Sequence, residues 1–408
     1  MLLKKRQIFL KKNTIIFKAL ITSRIRYILK NIILFVLVQI FASNVFGESK
    51  ENEFLYKDNL KNFKNESKTG LSKNIDKITF SSGSWFKGEI KDGKYNGIGI
   101  FKWPDGRKYE GVFKNGKKHG HGKWSSINGE KFVGEWEKGK KNGHGIFTYP
   151  DGSVYKGEWE NGEKYGQGTL ISSDGSKYIG GWKNGKKYGY GIITYLNGDK
   201  YVGTFLNGIK NGQGTKYYSN GDIFEGEFKF GEKNGLGKQT YQSGKVYLGE
   251  WEAGKYNGHG ELKSPDGKRY KGDWRNGTYH GYGEYIFGKG KWNGDKYLGE
   301  FRNGKKHGQG KYFFSDGRKY IGKFKYGKKH GEGIFTNPGG ATYKGEYVKG
   351  KKHGQGTLTS KIKNKYIGEF REGKFWDIKI FNKNGEILGK IVSGITQKKN
   401  QSFGMREE

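Results

Sequence analysis

The sequence predicts an all-β chain: tandem β-hairpins forming one elongated, twisted, single-layer antiparallel sheet. Three observations predict it. Aromatic residues recur every 23 positions, glycines recur in register with them, and two turn dipeptides punctuate each period. Composition alone points elsewhere, since 32 % hydrophobic residues and a net charge of +37 over 408 residues is the balance of a disordered chain. The 16 % aromatic content argues against disorder, because each ring carries a large burial area. High glycine is low-complexity only when it lacks a period, and these 72 glycines have one.

The first element is a targeting segment. Nine basic residues and no acidic ones lie in 1–47, followed within that span by the uncharged run "IILFVLVQIFA" at 32–42 and then small residues. Basic start, apolar run and small residues are the order of a signal peptide, with Val45 and Gly47 at the cleavage positions. The run is shorter than the roughly 20 residues of a spanning helix. Its long basic start leaves an uncleaved membrane anchor as the alternative. Either reading places the protein outside the cytoplasm, in the periplasm or cell envelope. Residues 48–77 are polar and unpatterned and read as a linker.

The array follows, over 78–394. Its anchors run from Phe86 through Tyr109, Phe132, Tyr155 and onward to Tyr366. Every step is 23 residues except Tyr270 to Tyr297, which is 27, giving thirteen units. Half units flank them at 78–83 and near Ile387. With the anchor as position 0, glycine recurs at 2, 7, 11, 13 and 20. Asn-Gly or a relative sits at 6–7 and Asp-Gly or Asn-Gly at 19–20. Such pairs between short runs signal hairpins, because type I′ turns need positive φ. Two turns per unit give two strands per unit, at about 0–5 and 10–17, or about 26 strands in all. The four prolines, Pro104, Pro150, Pro265 and Pro338, all occupy position 18, where a missing donor is tolerated. At ~4.8 Å per strand the thirteen units make a ribbon on the order of 125 Å. Residues 395–408 read as a polar tail.

Strand parity assigns faces. Positions 0, 2 and 4 share a face with 11, 13, 15 and 17, so large rings alternate with bare glycines. The opposite face holds glutamate at 3 and lysine or arginine at 5, and reads as wet and mixed in charge.

The unit "YxGEWxNGKKHGxGxxxxxDGxx", carried by 109–131, 132–154, 155–177 and the units after them, resembles the MORN (membrane occupation and recognition nexus) repeat. The resemblance covers about 86–386. It implies a β-hairpin solenoid in a scaffolding or binding role, as in bacterial exported members. Lipid binding, dimerisation and partner capture all occur among its members. Three departures stand out: four extra residues in 286–296, "FWDIK" at 375–379 in place of the usual glycines, and polar Lys216 and Gln239 at position 15. They read as a bulge, an end and a weak seam.

Catalytic chemistry is not expected. "GKKHGQG" is not followed by the helix that a phosphate loop requires. All eight histidines lie within the repeat, and copies ~10 Å apart cannot share one metal ion. No acid or serine stands out of register, and a single-layer sheet lacks a water-excluding pocket. The absence of cysteine excludes thiol chemistry and disulfides. No cofactor or metal is expected.

Two features remain as candidate contacts. The first is a lysine ladder at positions 8–9: Lys117/Lys118, Lys140/Lys141, Lys186/Lys187, Lys305/Lys306, Lys328/Lys329 and Lys351/Lys352. It is expected as a basic rail along one edge, for anionic lipid or envelope surface, or simply for solubility. Nucleic acid would use the same charge but is rarely met by an exported protein. The second is the aromatic face, with Tyr155, Trp136, Trp159, Trp182, Trp251 and Trp274. It either packs on itself or forms a groove for an extended peptide, a glycan or a second copy of the chain. The resulting expectation is a non-enzymatic scaffold that binds a protein partner or itself.

Overall fold

A computed structural model describes residues 77–398. The targeting segment, nearly all of the linker and the last ten residues lie outside the described residues. Among the described residues there are twenty-nine strands and no helix. They form two compact units: 77–127 with 136–139, and 128–135 with 140–398. In the smaller unit, strands from Ile78–Thr79 to Lys117–Ser125 each pair antiparallel with the next in sequence. In the larger, the same holds from Lys140–Thr148 to Ile395–Lys398. The strand Lys131–Glu137 holds the division between them.

Each repeat is a seven-residue strand and a nine-residue strand, as in Val154–Glu160 and Glu163–Ile171. Three strands exceed the expected 26. Ile78–Thr79 and Ile387–Val392 come from the half units, and Ile395–Lys398 takes the start of the expected tail. The thirteenth unit departs from the pattern at "FWDIK" yet still forms a hairpin, Lys365–Arg371 with Lys374–Phe381.

The two turns differ, which corrects the expectation of a type I′ turn at both. At positions 6–7 both residues take positive φ, 53° at Asn161 and 95° at Gly162, the type I′ geometry. At 19–20 only the glycine does, 82° at Gly175. There Ser172 N–H donates to Ser176 O at 2.8 Å and Gly175 N–H to Ser172 O at 2.9 Å, a wider turn built on a type I core. The position-18 N–H is outside that pair of bonds. In several units without proline it donates to an acidic or serine side chain just before the anchor of its own unit, as Ser219 N–H does to Asp199 Oδ1 at 2.9 Å and Gln242 N–H to Asp222 Oδ1 at 2.9 Å. Proline therefore costs the turn nothing.

The register carries a bulge in each hairpin. Gly157 faces Gly168, but Glu158 faces Tyr165, so two residues of the second strand bulge out. Gly166, at position 11, opens the bulge with φ of 58°, a left-handed value that favours glycine.

Candidate functional site

The aromatic face is built ring by ring. Tyr155 is fully buried and lies flat over Gly168, where an added Cβ would sit 2.4–2.6 Å from its ring. Its hydroxyl donates to Glu158 O at 3.0 Å. Trp159 meets Tyr155 edge to face at 5.2 Å and 88°, and meets Phe132 of the preceding unit at 5.3 Å. Its indole N–H donates to Gly145 O at 3.4 Å. Trp182, Trp251 and Trp274 repeat this arrangement in the larger unit. Trp136 does so in the smaller, against Tyr109 at 5.4 Å. Such edge-to-face pairs add ~0.5–1.5 kcal/mol each beyond burial. All six candidate rings are 0–6 % exposed, so they pack within the sheet's own layer of rings.

The lysine ladder does not form one rail. Adjacent strand residues point to opposite faces, so each pair divides. Lys117, Lys140, Lys186, Lys305, Lys328 and Lys351 are exposed on the outer face, Lys351 in an ion pair with Glu372 at 2.7 Å. Lys118, Lys141, Lys187, Lys306, Lys329 and Lys352 turn inward and lie over rings. Lys141 Nζ is 4.0 Å from the Phe147 centroid and 4.6 Å from Trp159. Lys118 is 4.0 Å from Trp136, Lys187 4.9 Å from Tyr178, Lys306 4.3 Å from Tyr312, Lys329 4.6 Å from Phe335 and Lys352 4.8 Å from Tyr343. Tyr256 and Tyr279 take the same seat as these lysines. They stack on Tyr247 and Tyr270 at 3.7 and 4.0 Å. Position 9 is a lid on the anchor ring, filled by a cation or by a second ring.

Burial pushes Lys141, Lys233, Lys306 and Lys329 down from 10.5 to about 8. The ring faces work the other way, because their quadrupoles favour the ammonium. The polar position-15 residues are also satisfied, so no weak seam results. Lys216 pairs with Asp199 at 3.0 Å, and the buried Gln239 accepts from Lys233 at 2.5 Å.

The glutamate of position 3 is a structural device that face parity alone did not reveal. Glu158 Oε1 accepts the Gln167 N–H in the bulge at 2.7 Å, and Glu135, Glu250, Glu300 and Glu346 do the same. Its recurrence at one register position, eight residues before the position-11 glycine, was the available signal. Gly181 and Thr204 stand in its place in two adjacent units.

Those two units carry a further departure. Across the outer face, Thr169 faces Ile179, Ile179 faces Ile192, Ile192 faces Val202 and Val202 faces Thr215. Lys156 precedes this row and Glu225 follows it. Five consecutive strands thus present no charge along their mid-line. Among the described residues no group of three or more His, Cys, Asp or Glu is placed to hold a metal ion, and no helix is long and apolar enough to cross a membrane.

A hairpin repeated with its lysines on rings and its glutamates on its own backbone defines a repeat protein, each unit completed by its neighbours. Twelve segments match the MORN repeat: 86–106, eight consecutive stretches over 109–292, then 297–317, 320–342 and 343–364. The chain belongs to the MORN-repeat family. A search of curated proteins found no match. Among solved structures, the chain is similar to the TCP domain of Drosophila melanogaster SAS-4 (dCPAP) in complex with a proline-rich motif of Ana2. That match has 16 % identity, covers 44 % of this chain and 90 % of that one, and has a TM-score of 0.25. It is also similar to the TCP10 domain of Danio rerio CPAP with a STIL peptide, at 10 % identity, 78 % and 99 % coverage and a TM-score of 0.15. Virginiamycin B lyase of Staphylococcus aureus matches at 14 % identity, 71 % and 92 % coverage and a TM-score of 0.12.

Proposed function

We propose that this chain is a non-enzymatic scaffold of the cell envelope that binds a protein, either a partner or a second copy of itself. The uncharged row from Thr169 to Thr215 carries the reading. Charge depletion at the centre is what separates a protein interface from ordinary surface. On a chain of net charge +37, a neutral patch about 20 Å across five strands is where another protein meets least repulsion. The acids that general acid–base chemistry would need are committed to structure, the position-3 glutamates to bulge N–H groups. The envelope location rests on the 1–47 segment, and the mass of the mature chain tests it. Sedimentation of the full chain across concentration, beside Ile192→Lys, tests the interface. Proximity cross-linking in the native envelope extends the test to other partners. Association or cross-links lost in Ile192→Lys support the reading; association or cross-links indifferent to it refute this surface.

A second reading rests on the exposed position-8 lysines, which suit an anionic lipid surface at ~1 kcal/mol each. Binding to vesicles of anionic phospholipid must then weaken in 0.5 M salt. Binding insensitive to salt sinks that reading.

A further inference from the structure

The period breaks once, and there the sheet builds a cavity. The four extra residues do not hang as a loose loop. Phe287 N–H donates to Asp295 O at 2.9 Å, Gly294 N–H to Phe287 O at 3.2 Å, and Lys289 N–H reaches back to Asp266 O at 2.8 Å. This knot holds Trp292 on the aromatic side, 6.1 Å from Phe287 and 54 % exposed. Beside it lies a cavity of about 370 Å³, lined by Phe287, Trp292, Lys306, Tyr312, Phe314 and Lys329 among others. That volume is within the ~300–1,000 Å³ of small-molecule sites.

The lining specifies a ligand. One side is a row of rings in contact with one another, Phe287 and Tyr312 at 5.7 Å, Tyr312 and Phe314 at 4.5 Å, an apolar surface against which a flat body can lie. The lining carries Lys306, Lys328 and Lys329 and no acid, with the nearby Asp295 offsetting part of the Lys306 charge. Among the described residues neither Lys306 nor Lys329 makes an ion pair. Asp295, the acid at hand, is 3 % exposed with both oxygens engaged: Oδ2 by the Tyr312 hydroxyl at 2.6 Å and Oδ1 by Ser315 N–H at 2.8 Å. Ordinary repeats have a lysine on rings as well, but no wall like Trp292.

We propose that this cavity binds a small organic anion with a flat ring body, the ring lying against Trp292 and the Phe287–Tyr312–Phe314 rings and the anionic group at Lys306 and Lys329. The site is separate from the neutral row and does not depend on the scaffold reading.

The test titrates the full chain with 2-naphthoate, followed by calorimetry and tryptophan fluorescence. Acetate (charge without ring) and 2-naphthalenemethanol (ring without charge) serve as comparison ligands. The expected result is saturable binding at one site per chain. Both comparison ligands bind at least about ten-fold more weakly, and Trp292→Ala and Lys329→Gln each lower affinity by about ten-fold. Lys164→Gln, in a repeat without an insertion, leaves affinity unchanged. Trp292 is exposed, so its removal spares the fold, and a far-ultraviolet spectrum confirms that. No saturable binding, a stoichiometry approaching one per repeat, or affinity unchanged in Trp292→Ala overturns the proposal.

Discussion

Tyr155 can lie flat over the sheet because Gly168 has no side chain beneath it. Gly168→Ala forces the ring off its seat and is expected to destabilise by about 2 kcal/mol, the usual scale of overpacking. Gly166→Ala meets a different obstacle: its left-handed φ and the Glu158 carboxylate, 2.3–2.6 Å from an added Cβ. The backbone alone costs ~1–2 kcal/mol. Urea denaturation of each variant, with the slope held constant, measures both. Ala253 occupies the first turn position at φ of 46°, where six of the thirteen units place Asn. Ala253→Asn is expected to stabilise by up to ~1 kcal/mol, since Asn tolerates that region better. A fall in the denaturation midpoint would contradict the turn assignment.

At the scale of the hairpin, position 9 decides how the ring layer is closed. Lysine and tyrosine are alternative lids on the same anchor ring, so Lys164→Tyr is expected to keep or raise the midpoint of thermal unfolding. Lys164→Ala removes the ring contacts to Tyr155 and Trp182 and should cost about 0.5–1 kcal/mol. Equal loss in both variants would mean that the seat accepts only the ammonium. The division of the lysine pairs was already legible in the parity rule. The alternation that places positions 11, 13, 15 and 17 with the rings also places 9 there. The turn at 19–20 was less legible, because Asp-Gly fits both a type I′ turn and a type I turn followed by a left-handed glycine.

For the molecule as a whole, titration of the ring layer sets the pH response. Lys141, Lys233, Lys306 and Lys329 are held near 8, below their unfolded value of 10.5. Between about 8 and 10 the unfolded chain holds protons on these lysines that the fold has released, so stability rises with pH. Above 10 the sign reverses. Buried anchors such as Tyr109, Tyr178 and Tyr201 have pKa values raised by burial, so unfolded tyrosines lose protons that the fold keeps. A maximum near pH 10 in the unfolding midpoint is the expected outcome. A midpoint falling steadily from pH 8 would show that the ring faces outweigh burial at these lysines.

The sequence by itself determined the all-β class, the repeat boundaries, the hairpin turns at 6–7 and the face that carries the rings. These are local and periodic: a 23-residue register repeats the same φ requirements and the same alternation in every unit. Tertiary structure alone decided what the exceptions do. Glu158 works as a bulge acceptor only because two residues of the return strand bulge beside it. Trp292 walls a cavity only because the insertion is tied back to the turn at Asp266. The neutral row exists only because Thr169, Ile179, Ile192, Val202 and Thr215 are brought side by side by pairing. Residues ten to thirteen positions apart in the chain become neighbours through the sheet, and local sequence pattern does not state that relation.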